Sequence, residues 1–327
     1  MTWLAWRQLR VPALSVWAGL AAIGVVLAIT GPKLVGRTNF TDVDVLFTGT
    51  LIAVYALPVV IGVFWGAPMV TRELETGTHN LVWNQSVTRT RWLATKFGVG
   101  VPVAVVSAGL LSFAVTWWAA PIDAYAEKEN DQLARIMPEV FAARGVAPVG
   151  YALFALVLGV AVGIVVRRTV AAMALTLVLF AAVQVAVPLL VRPHLLPATD
   201  ESVAITASNI RQITGNESGV LESLTVAAPS DAWVLTNETV DAGGTPVHPL
   251  PEPVHQCLPK PGSGDAFPER GAIGRCMSRL TELGYRQHLV YLPGSRFWPL
   301  QWVELGLFVV LSALSGWFCF RRLRHLS

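Results

Sequence analysis

The chain is poor in charged residues, and this scarcity limits what kind of protein it is. Charged side chains make up only 14% of its 327 residues, whereas hydrophobic ones make up 54%. A soluble protein needs polar and charged side chains to cover its surface, and one of this length hides only one or two apolar helices in its core. The composition therefore argues against a soluble globular protein.

The motifs of common enzyme classes are also missing. The sequence contains no GxxxxGK[ST] phosphate-binding loop, no HExxH zinc motif and no GxSxG nucleophile elbow. Its six histidines are scattered and pair with no convincing nucleophile. We therefore expect neither catalysis nor a cofactor in this chain, and any ATP hydrolysis that it depends on must occur in another protein.

The hydrophobic residues are gathered into six blocks, each close to the roughly 20 residues that cross a bilayer. The blocks are Val11–Thr30, Leu46–Gly66, Gly98–Ala120, Gly150–Val166, Val170–Val191 and Pro299–Phe320. The fourth is the shortest and the least secure. The pattern predicts an all-α polytopic membrane protein with six transmembrane helices, and the first block follows Arg7 and Arg10 as a retained anchor.

The distribution of basic residues predicts the orientation. One side collects Arg7, Arg10, Arg72, Arg89, Arg91, Lys96, Arg167, Arg168, Arg321, Arg322 and Arg324, with Glu73 and Glu75 as its only acids. The opposite loops carry mixed charge. We therefore expect both termini in the cytoplasm, and the formal net charge of +3 reflects this topology and gives no support to a nucleic-acid partner.

The largest hydrophilic piece, residues 192–298, separates residues 1–191 from the last span and tail at 299–327. SVAITASNIRQIT and SLTVAAPSDAWVLTNETV are typical of strands, and GAIGRCMSRLTELGY predicts a short helix. We expect a small α+β extracytoplasmic domain with a proline-rich centre.

Two cysteines, Cys257 and Cys276, belong to this piece. An oxidising exterior favours a disulfide between them, whereas His248 and His255 beside Cys257 leave a metal site as the alternative. Their spacing matches no standard zinc pattern, so we favour the disulfide.

Polar residues inside the apolar blocks are candidates for special roles. Glu304 lies about one and a half turns into the last block, where an ionisable group is costly unless it faces protein, water or a partner charge. It either helps to gate the external mouth and seat the last helix, or extends to the headgroups beside Trp298 and Trp302. Gln184 predicts an interhelical hydrogen bond, and Pro188 predicts a kink near the end of the fifth helix.

The polar and basic segment at 71–97, within a cytoplasmic loop at 67–97, is the most informative stretch. Gly77 predicts the end of a helix, and Ser86 or Thr88 can cap the next one. The segment is either an ordinary solvated loop or a docking surface for a cytoplasmic partner.

Three blocks carry a family resemblance: FWGAPMVTRELETGTHNLVWNQSVTRTRWLATK, RGVAPVGYALFALVLGVAVGIVVRRTVAAMALTL and YLPGSRFWPLQWVELGLF. With six spans and a large loop before the sixth, they resemble the permease subunit of ATP-binding-cassette (ABC) transporters, type-2 exporter class, in the form common among actinobacterial genomes.

The resemblance implies a bacterial plasma-membrane protein that pairs with a second, identical or similar permease subunit and with a cytoplasmic ABC ATPase, which holds ATP and Mg²⁺. In that class the loop between the second and third spans forms a coupling helix that docks into the ATPase. The matching coupling residues here are Arg72, Glu73, Glu75, Thr76, Gly77 and Thr78. The N-terminal MTWLAWRQLR resembles the family's amphipathic connecting helix, although a simple basic anchor explains the same residues.

A second hypothesis is a membrane-anchored sensor whose external domain binds a ligand and whose cytoplasmic loop docks a signalling protein. It requires no ATPase. The sequence does not identify a cargo for the first hypothesis or a ligand for the second.

Overall fold

The structure is a computed structural model that describes residues 2–78, 88–129, 134–216, 220–252 and 279–324. The chain divides into a helical unit, formed by residues 1–195 and 295–327, and a strand-rich unit formed by residues 196–294.

The helical unit contains eight described α-helices. They are α1 Thr2–Thr30, α2 Asp44–Val60, α3 Ala67–Glu75, α4 Arg89–Glu129, α5 Pro138–Phe141, α6 Ala147–Val166, α7 Thr169–Ala186 and α8 Phe297–Arg324. A π-helical turn, Ile61–Gly66, joins α2 to α3 without a break, and a second one, Val187–Val191, extends α7. This second turn contains Pro188, at the place where the sequence predicts a kink.

Six helical stretches are long and apolar enough to cross a membrane, which agrees with the six predicted blocks. They are Trp6–Lys33, Thr41–Glu75, Arg89–Lys128, Ala147–Val166, Thr169–His194 and Gly294–Arg324. The second and third are longer than the apolar blocks because the helices continue into polar sequence at their ends. We number these stretches as spans one to six.

The fourth span, α6, is the central helix of the unit although it is the shortest of the six. Of its most apolar window, 72% is buried by protein, compared with 11% for span one and 17% for span five. A helix surrounded by other helices does not depend on contact with lipid for its stability. The weakest of the six sequence predictions therefore concerned the best-packed helix.

Glycines allow α6 to approach span two closely. A Cβ atom placed on Gly159 would lie 2.4 Å from the carbonyl oxygen of Gly62, and one on Gly66 would lie 2.5 Å from the oxygen of Leu156. Close backbone contact of this kind is how helices pack when there is no water to drive them together.

The connection between α6 and α7 consists of two arginines. Arg167 ends α6 in the left-handed conformation at φ 58°, and its N–H donates to the carbonyl oxygen of Gly163 at 3.0 Å. Arg168 is extended, and α7 begins at the next residue. These two residues alone make the turn between α6 and α7.

The segment that precedes α6 is folded into the helical unit. The third apolar block ends at Ala120, which predicts Asp123 and Arg144 in the following external loop, but α4 continues past Asp123 to Glu129. The Nε atom of Arg144 lies 3.2 Å from a carboxylate oxygen of Asp123, and both residues are buried. The ion pair offsets part of the cost of burying both charges.

The strand-rich unit has five described strands. They are β1 Thr199–Val203, β2 Ile210–Gly215, β3 Leu221–Val226, β4 Trp233–Val240 and β5 Arg286–Leu292. Antiparallel pairing gives one sheet in the order β1-β5-β4, with Glu201 and Asn237 both opposite Leu289, and a hairpin of β2 and β3. The two stretches predicted as strands contain β4 and most of β2 and β3, but they include only the last two residues of β1, and β5 was missed.

A small apolar core holds this unit together, and it is formed by Ile205, Leu221, Leu224, Val226, Leu250 and Leu280. The buried amide of Gln287 in β5 donates to the carbonyl oxygen of Leu224 and to the side chain of Asn237, both at 2.8 Å, and so ties β5 to β3 and β4. Most of the predicted helix GAIGRCMSRLTELGY lies outside the described residues, although 279–282 are helical.

Candidate functional site

The predicted coupling segment begins as a helix and ends at a glycine. Helix α3 stops at Glu75, the N–H of Thr76 donates to the carbonyl oxygen of Arg72 at 3.2 Å, and Gly77 has a φ of 70°. This left-handed glycine is a usual helix end, as the sequence predicts. Residues 79–87 lie outside the described part, and α4 begins at Arg89 with the Thr88 hydroxyl accepting from the N–H of Arg91 at 3.3 Å.

Glu73 faces the interior of the helical unit. One of its carboxylate oxygens lies 2.7 Å from Nζ of Lys96 in α4 and accepts from Nε2 of Gln8 in α1 at 2.9 Å. The other accepts from Nε1 of Trp92 at 3.0 Å. We call this group of Gln8, Glu73, Trp92 and Lys96 the clamp, because it joins spans one, two and three through one carboxylate.

Lys96 is almost fully enclosed by the clamp. Its side chain is 5% exposed and that of Glu73 is 13% exposed. Besides Glu73, the ammonium group donates to the carbonyl oxygen of Met69 at 2.7 Å and to Oε1 of Gln8 at 3.2 Å. Three acceptors satisfy the three donors of the ammonium, so the charge is stable at low exposure.

The end of the bundle with the clamp also contains the end of α8. Val70, Trp92, Leu93, Cys319 and Leu323 are buried in one apolar cluster there, and Phe97 lies near Phe320 with ring centroids 6.0 Å apart. We call this the clamp end. It brings together the start of α1, the end of α3, the start of α4 and the end of α8.

Glu75 caps the fifth span. Its Oε2 atom accepts from the backbone N–H of Thr169 at 3.0 Å and from the Thr169 hydroxyl at 2.6 Å. An acidic side chain at this position satisfies a free N–H group of the first turn of α7 and suits the helix dipole. The end of α3 is therefore attached to span five as well as to spans one and three.

The six predicted coupling residues thus divide into two groups. Glu73 and Glu75 bind other spans of the same chain, whereas the side chains of Arg72, Thr76 and Thr78 are exposed. Gly77 provides the turn between the two threonines. The hydroxyl of Thr76 donates to the carbonyl oxygen of Arg72 at 2.8 Å and lies 3.0 Å from that of Thr78, so these two side chains continue the helix end.

Glu304, at the opposite end of the bundle, is paired with an arginine that the sequence reasoning did not connect to it. Its two carboxylate oxygens lie 2.8 and 2.9 Å from Nε and Nη2 of Arg192, and both side chains have no exposed surface. Tyr151 donates its hydroxyl to the same carboxylate at 2.5 Å. The alternative that Glu304 extends to the headgroups is wrong, because protein surrounds the carboxylate.

The same region contains a second buried polar residue, Gln301. Its Oε1 atom accepts from the N–H groups of Val146 and Ala147 at 3.0 and 2.8 Å, and its Nε2 donates to the carbonyl oxygen of Phe141 at 2.9 Å. Gln301 therefore caps the start of α6 from α8. No hydrogen bond of Gln184, for which one was predicted, is found within the described part of the chain.

The cysteine prediction lies outside the described residues, since Cys257, Cys276 and the neighbouring His255 all fall within 253–278. The remaining cysteine, Cys319, is a buried free thiol near the end of α8. Among the described residues, no cluster of histidine, cysteine and carboxylate side chains could hold a metal ion.

The central part of the chain is similar to a known protein family. Residues 33–192 match the family described as ABC-2 membrane transporter related, and no curated protein and no solved structure matches the chain. The matched stretch begins after α1, contains α3 and the central helix α6, and ends at Arg192, the partner of Glu304. The chain is therefore similar to the ABC-2 membrane transporter related family over residues 33–192, and this match together with the six apolar helices supports a multi-pass membrane protein of the ABC permease type.

Proposed function

We propose that the chain is the membrane-spanning subunit of an ATP-driven exporter of a bacterial plasma membrane, and that a separate cytoplasmic ATPase binds ATP and Mg²⁺. The family match supports a permease rather than a membrane-anchored sensor. The substrate leaves the cytoplasm or its facing leaflet by a path that the spans form together with a second permease subunit.

The clamp end faces the cytoplasm in this proposal. This end carries an excess of exposed basic side chains at the ends of its helices, namely those of Arg72, Arg91, Arg321 and Arg322. Cytoplasmic loops of membrane proteins carry such an excess of arginine and lysine. The strand-rich unit at 196–294 then lies outside, since it is inserted between spans five and six at their other ends.

The observation that carries the proposal is the attachment of α3 to three other spans. Glu73 binds Lys96 of span three and Gln8 of span one, and Glu75 binds Thr169 of span five. A displacement of the helix end at 72–78 is therefore transmitted to spans one, three and five as well as to span two. This is the mechanical requirement for a segment that converts closure of an ATPase pair into movement of helices.

The exposed part of this segment forms the docking surface. The side chains of Arg72, Thr76 and Thr78 are exposed, and we assign the ATPase contact to Thr76 and Thr78, with Gly77 as the turn. Glu73 and Glu75 contribute by holding this surface rigid.

Glu304 stabilises the opposite end. Its bond with Arg192 fixes α8 to the end of span five, and Tyr151 links both to the central helix α6. We propose that this group keeps the external ends of spans four, five and six together, and that opening of an exit path at this end requires its rearrangement.

Affinity purification of the full chain from its native membranes tests the docking assignment. The wild-type chain is expected to retain a Walker-motif ATPase in mild detergent, and the double variant Thr76→Trp plus Thr78→Trp is expected to lose it, because two large side chains block the exposed surface without touching the clamp.

Thr38→Trp provides the matched control, since Thr38 is an exposed threonine in the loop after span one, at the other end of that helix from the clamp. This variant should retain the ATPase. Failure of the wild-type chain to retain any ATPase would contradict the proposed function, whereas equal retention by all three proteins would contradict only the docking surface. Size-exclusion profiles establish that each variant is folded.

A further inference from the structure

A cavity of about 590 Å³ lies at the clamp end, between α1, the end of span two and the start of α4. Its volume falls within the range of sites that hold small molecules. Most of its wall is apolar and comes from Leu9, Val11, Pro12, Phe64, Met69 and Val99. The polar part of the wall is confined to one side, at Gln8, Arg72, Glu73 and Lys96.

The charge on the polar side is positive. Glu73 and Lys96 are 2.7 Å apart and neutralise one another. Arg72 adds a third charge, and its exposed guanidinium forms no ion pair or hydrogen bond within the described part of the chain. An anionic group at this rim would gain a charge-assisted hydrogen bond from Arg72 without competing with an existing partner.

The apolar side of the cavity offers a second feature. Trp65 lines it and is only 2% exposed, and its indole N–H has no hydrogen-bond partner among the described residues. Trp65 precedes Arg72 by seven residues, which at 1.5 Å per residue places it about 10 Å deeper along the span. The cavity thus runs from a cationic rim at the helix end to an apolar wall deeper along the span.

We infer that this cavity binds an anionic phospholipid of the leaflet at the clamp end, with its phosphate at Arg72 and an acyl chain along the apolar wall. A free anion would leave the apolar wall without a contact, and a lipid without a phosphate would leave the Arg72 guanidinium without an acceptor. Both halves of the site are satisfied only by a molecule that is charged at one end and apolar at the other. The inference concerns binding alone, and it stands whether or not the lipid is transported.

Native mass spectrometry of the full chain in detergent tests the inference by titration with two lipids that share their acyl chains, dioleoyl phosphatidylglycerol and dioleoylglycerol, which lacks the phosphate. Phosphatidylglycerol is expected to bind about tenfold more tightly or better, the gain that one hydrogen bond to a charged group provides. Arg72→Gln should abolish this preference. Val99→Trp, which fills the cavity from α4, should weaken binding of both lipids.

Arg91→Gln is the matched control, because Arg91 is an exposed arginine that also lies at the clamp end, in span three, but does not line the cavity. It should retain the preference for phosphatidylglycerol. Equal affinities of the two lipids for the wild-type chain, or equal effects of the two arginine variants, would overturn the inference. Binding of glycerol 3-phosphate as tightly as the lipid would overturn it as well, because a free anion would then be the ligand. Unchanged thermal unfolding of each variant shows that a loss of binding is not a loss of fold.

Discussion

Glu304 in α8 and Arg192 at the end of span five form a buried bidentate ion pair, with oxygen-to-nitrogen distances of 2.8 and 2.9 Å. Neither side chain has exposed surface, and 112 residues separate them in the sequence. Arg192 also lies over the ring of Phe141, 4.4 Å from its centroid. The pair fixes α8 to the end of span five at a depth where water cannot replace either partner.

The first prediction concerns the removal of one member of this pair. Arg192→Met leaves the Glu304 carboxylate buried with only Tyr151 as a donor, and a buried charge that loses its partner costs about 3–5 kcal/mol. The free energy of unfolding in detergent, measured by denaturant titration, should fall by about that amount. The double variant Arg192→Met plus Glu304→Leu should recover most of the loss, since no charge is then left unpaired.

The exposed pair of Arg37 and Asp42 is the control for the first prediction. Their side chains are 39% and 60% exposed, although the separation of nitrogen and oxygen is 2.7 Å. Asp42→Asn should leave the unfolding midpoint unchanged, because water replaces the lost interaction. If Arg192→Met had as small an effect, the ion pair at Glu304 would not hold α8 in place.

The second prediction concerns the clamp. Lys96→Met removes the donor to Glu73, Met69 and Gln8 while it keeps a side chain of similar length, and the enclosed Glu73 carboxylate loses its counter-charge. We expect a loss of about 3 kcal/mol in the free energy of unfolding. Glu73→Gln should cost less, about 1–2 kcal/mol, since the amide oxygen can still accept from Lys96 or Trp92.

Glu73→Lys distinguishes a clamp from a docking group. The substitution places two ammonium groups at a site where their charges repel, so the chain should become less stable even when no ATPase is present. A variant that unfolds at the wild-type temperature but fails to retain the ATPase would instead make Glu73 a docking residue. Differential scanning fluorimetry of the detergent-solubilised chain separates these outcomes.

The sequence predicts the spans well because length and apolarity alone determine whether a helix can cross a bilayer. The sequence does not predict which span is the most buried by protein, since hydropathy measures how well a helix tolerates lipid and not how much protein surrounds it. A signal for the central position of α6 was nevertheless present in the spacing of Gly159 and Gly163, which are four residues apart as in close-packed membrane helices. The strand β5 had a similar signal, because its buried residues Gln287, Leu289 and Tyr291 alternate along the chain.

The candidate site could be located from the sequence, but the roles of its residues could not all be assigned. Charge alone places Glu73 on the surface. The helical period provides a better indication, since Val70, Glu73 and Leu74 share the face of α3 that packs inward, whereas Arg72 and Thr76 are exposed. The partner of Glu304 gave no such signal, because Arg192 directly follows an apolar block and resembles any basic residue at a helix end.

The third prediction concerns the crossing of α6 and span two. A methyl group on Gly159 would lie 2.4 Å from the oxygen of Gly62 and 2.7 Å from the backbone nitrogen of Ala67. Since both atoms belong to the backbone, neither can move aside without displacement of a helix, and overpacking of this kind costs about 1–3 kcal/mol or more. Gly159→Ala should therefore lower the unfolding temperature.

Gly98→Ala is the control for the third prediction, since no atom lies within 4 Å of a Cβ at this position in α4. Alanine favours a helix over glycine by about 1 kcal/mol, so this variant should be as stable as the wild-type chain or more stable. Equal effects of the two substitutions would show that the crossing tolerates a wider separation than the backbone distances indicate.

The fourth prediction concerns the attachment of α3 to span five. Glu75 accepts from the N–H and the hydroxyl of Thr169, so Glu75→Ala leaves the first turn of α7 without its cap. The overall unfolding temperature should change little, because Glu75 is exposed and water hydrates the freed N–H. Hydrogen exchange of the amides at 169–172 should become faster, while exchange in the buried helix α6 should not change.

Glu75→Gln retains an acceptor oxygen and should restore most of the protection. If the amides at the start of α7 exchanged equally fast in the wild-type chain and in Glu75→Ala, the cap would not hold in solution, and displacement of α3 would not reach span five through Glu75.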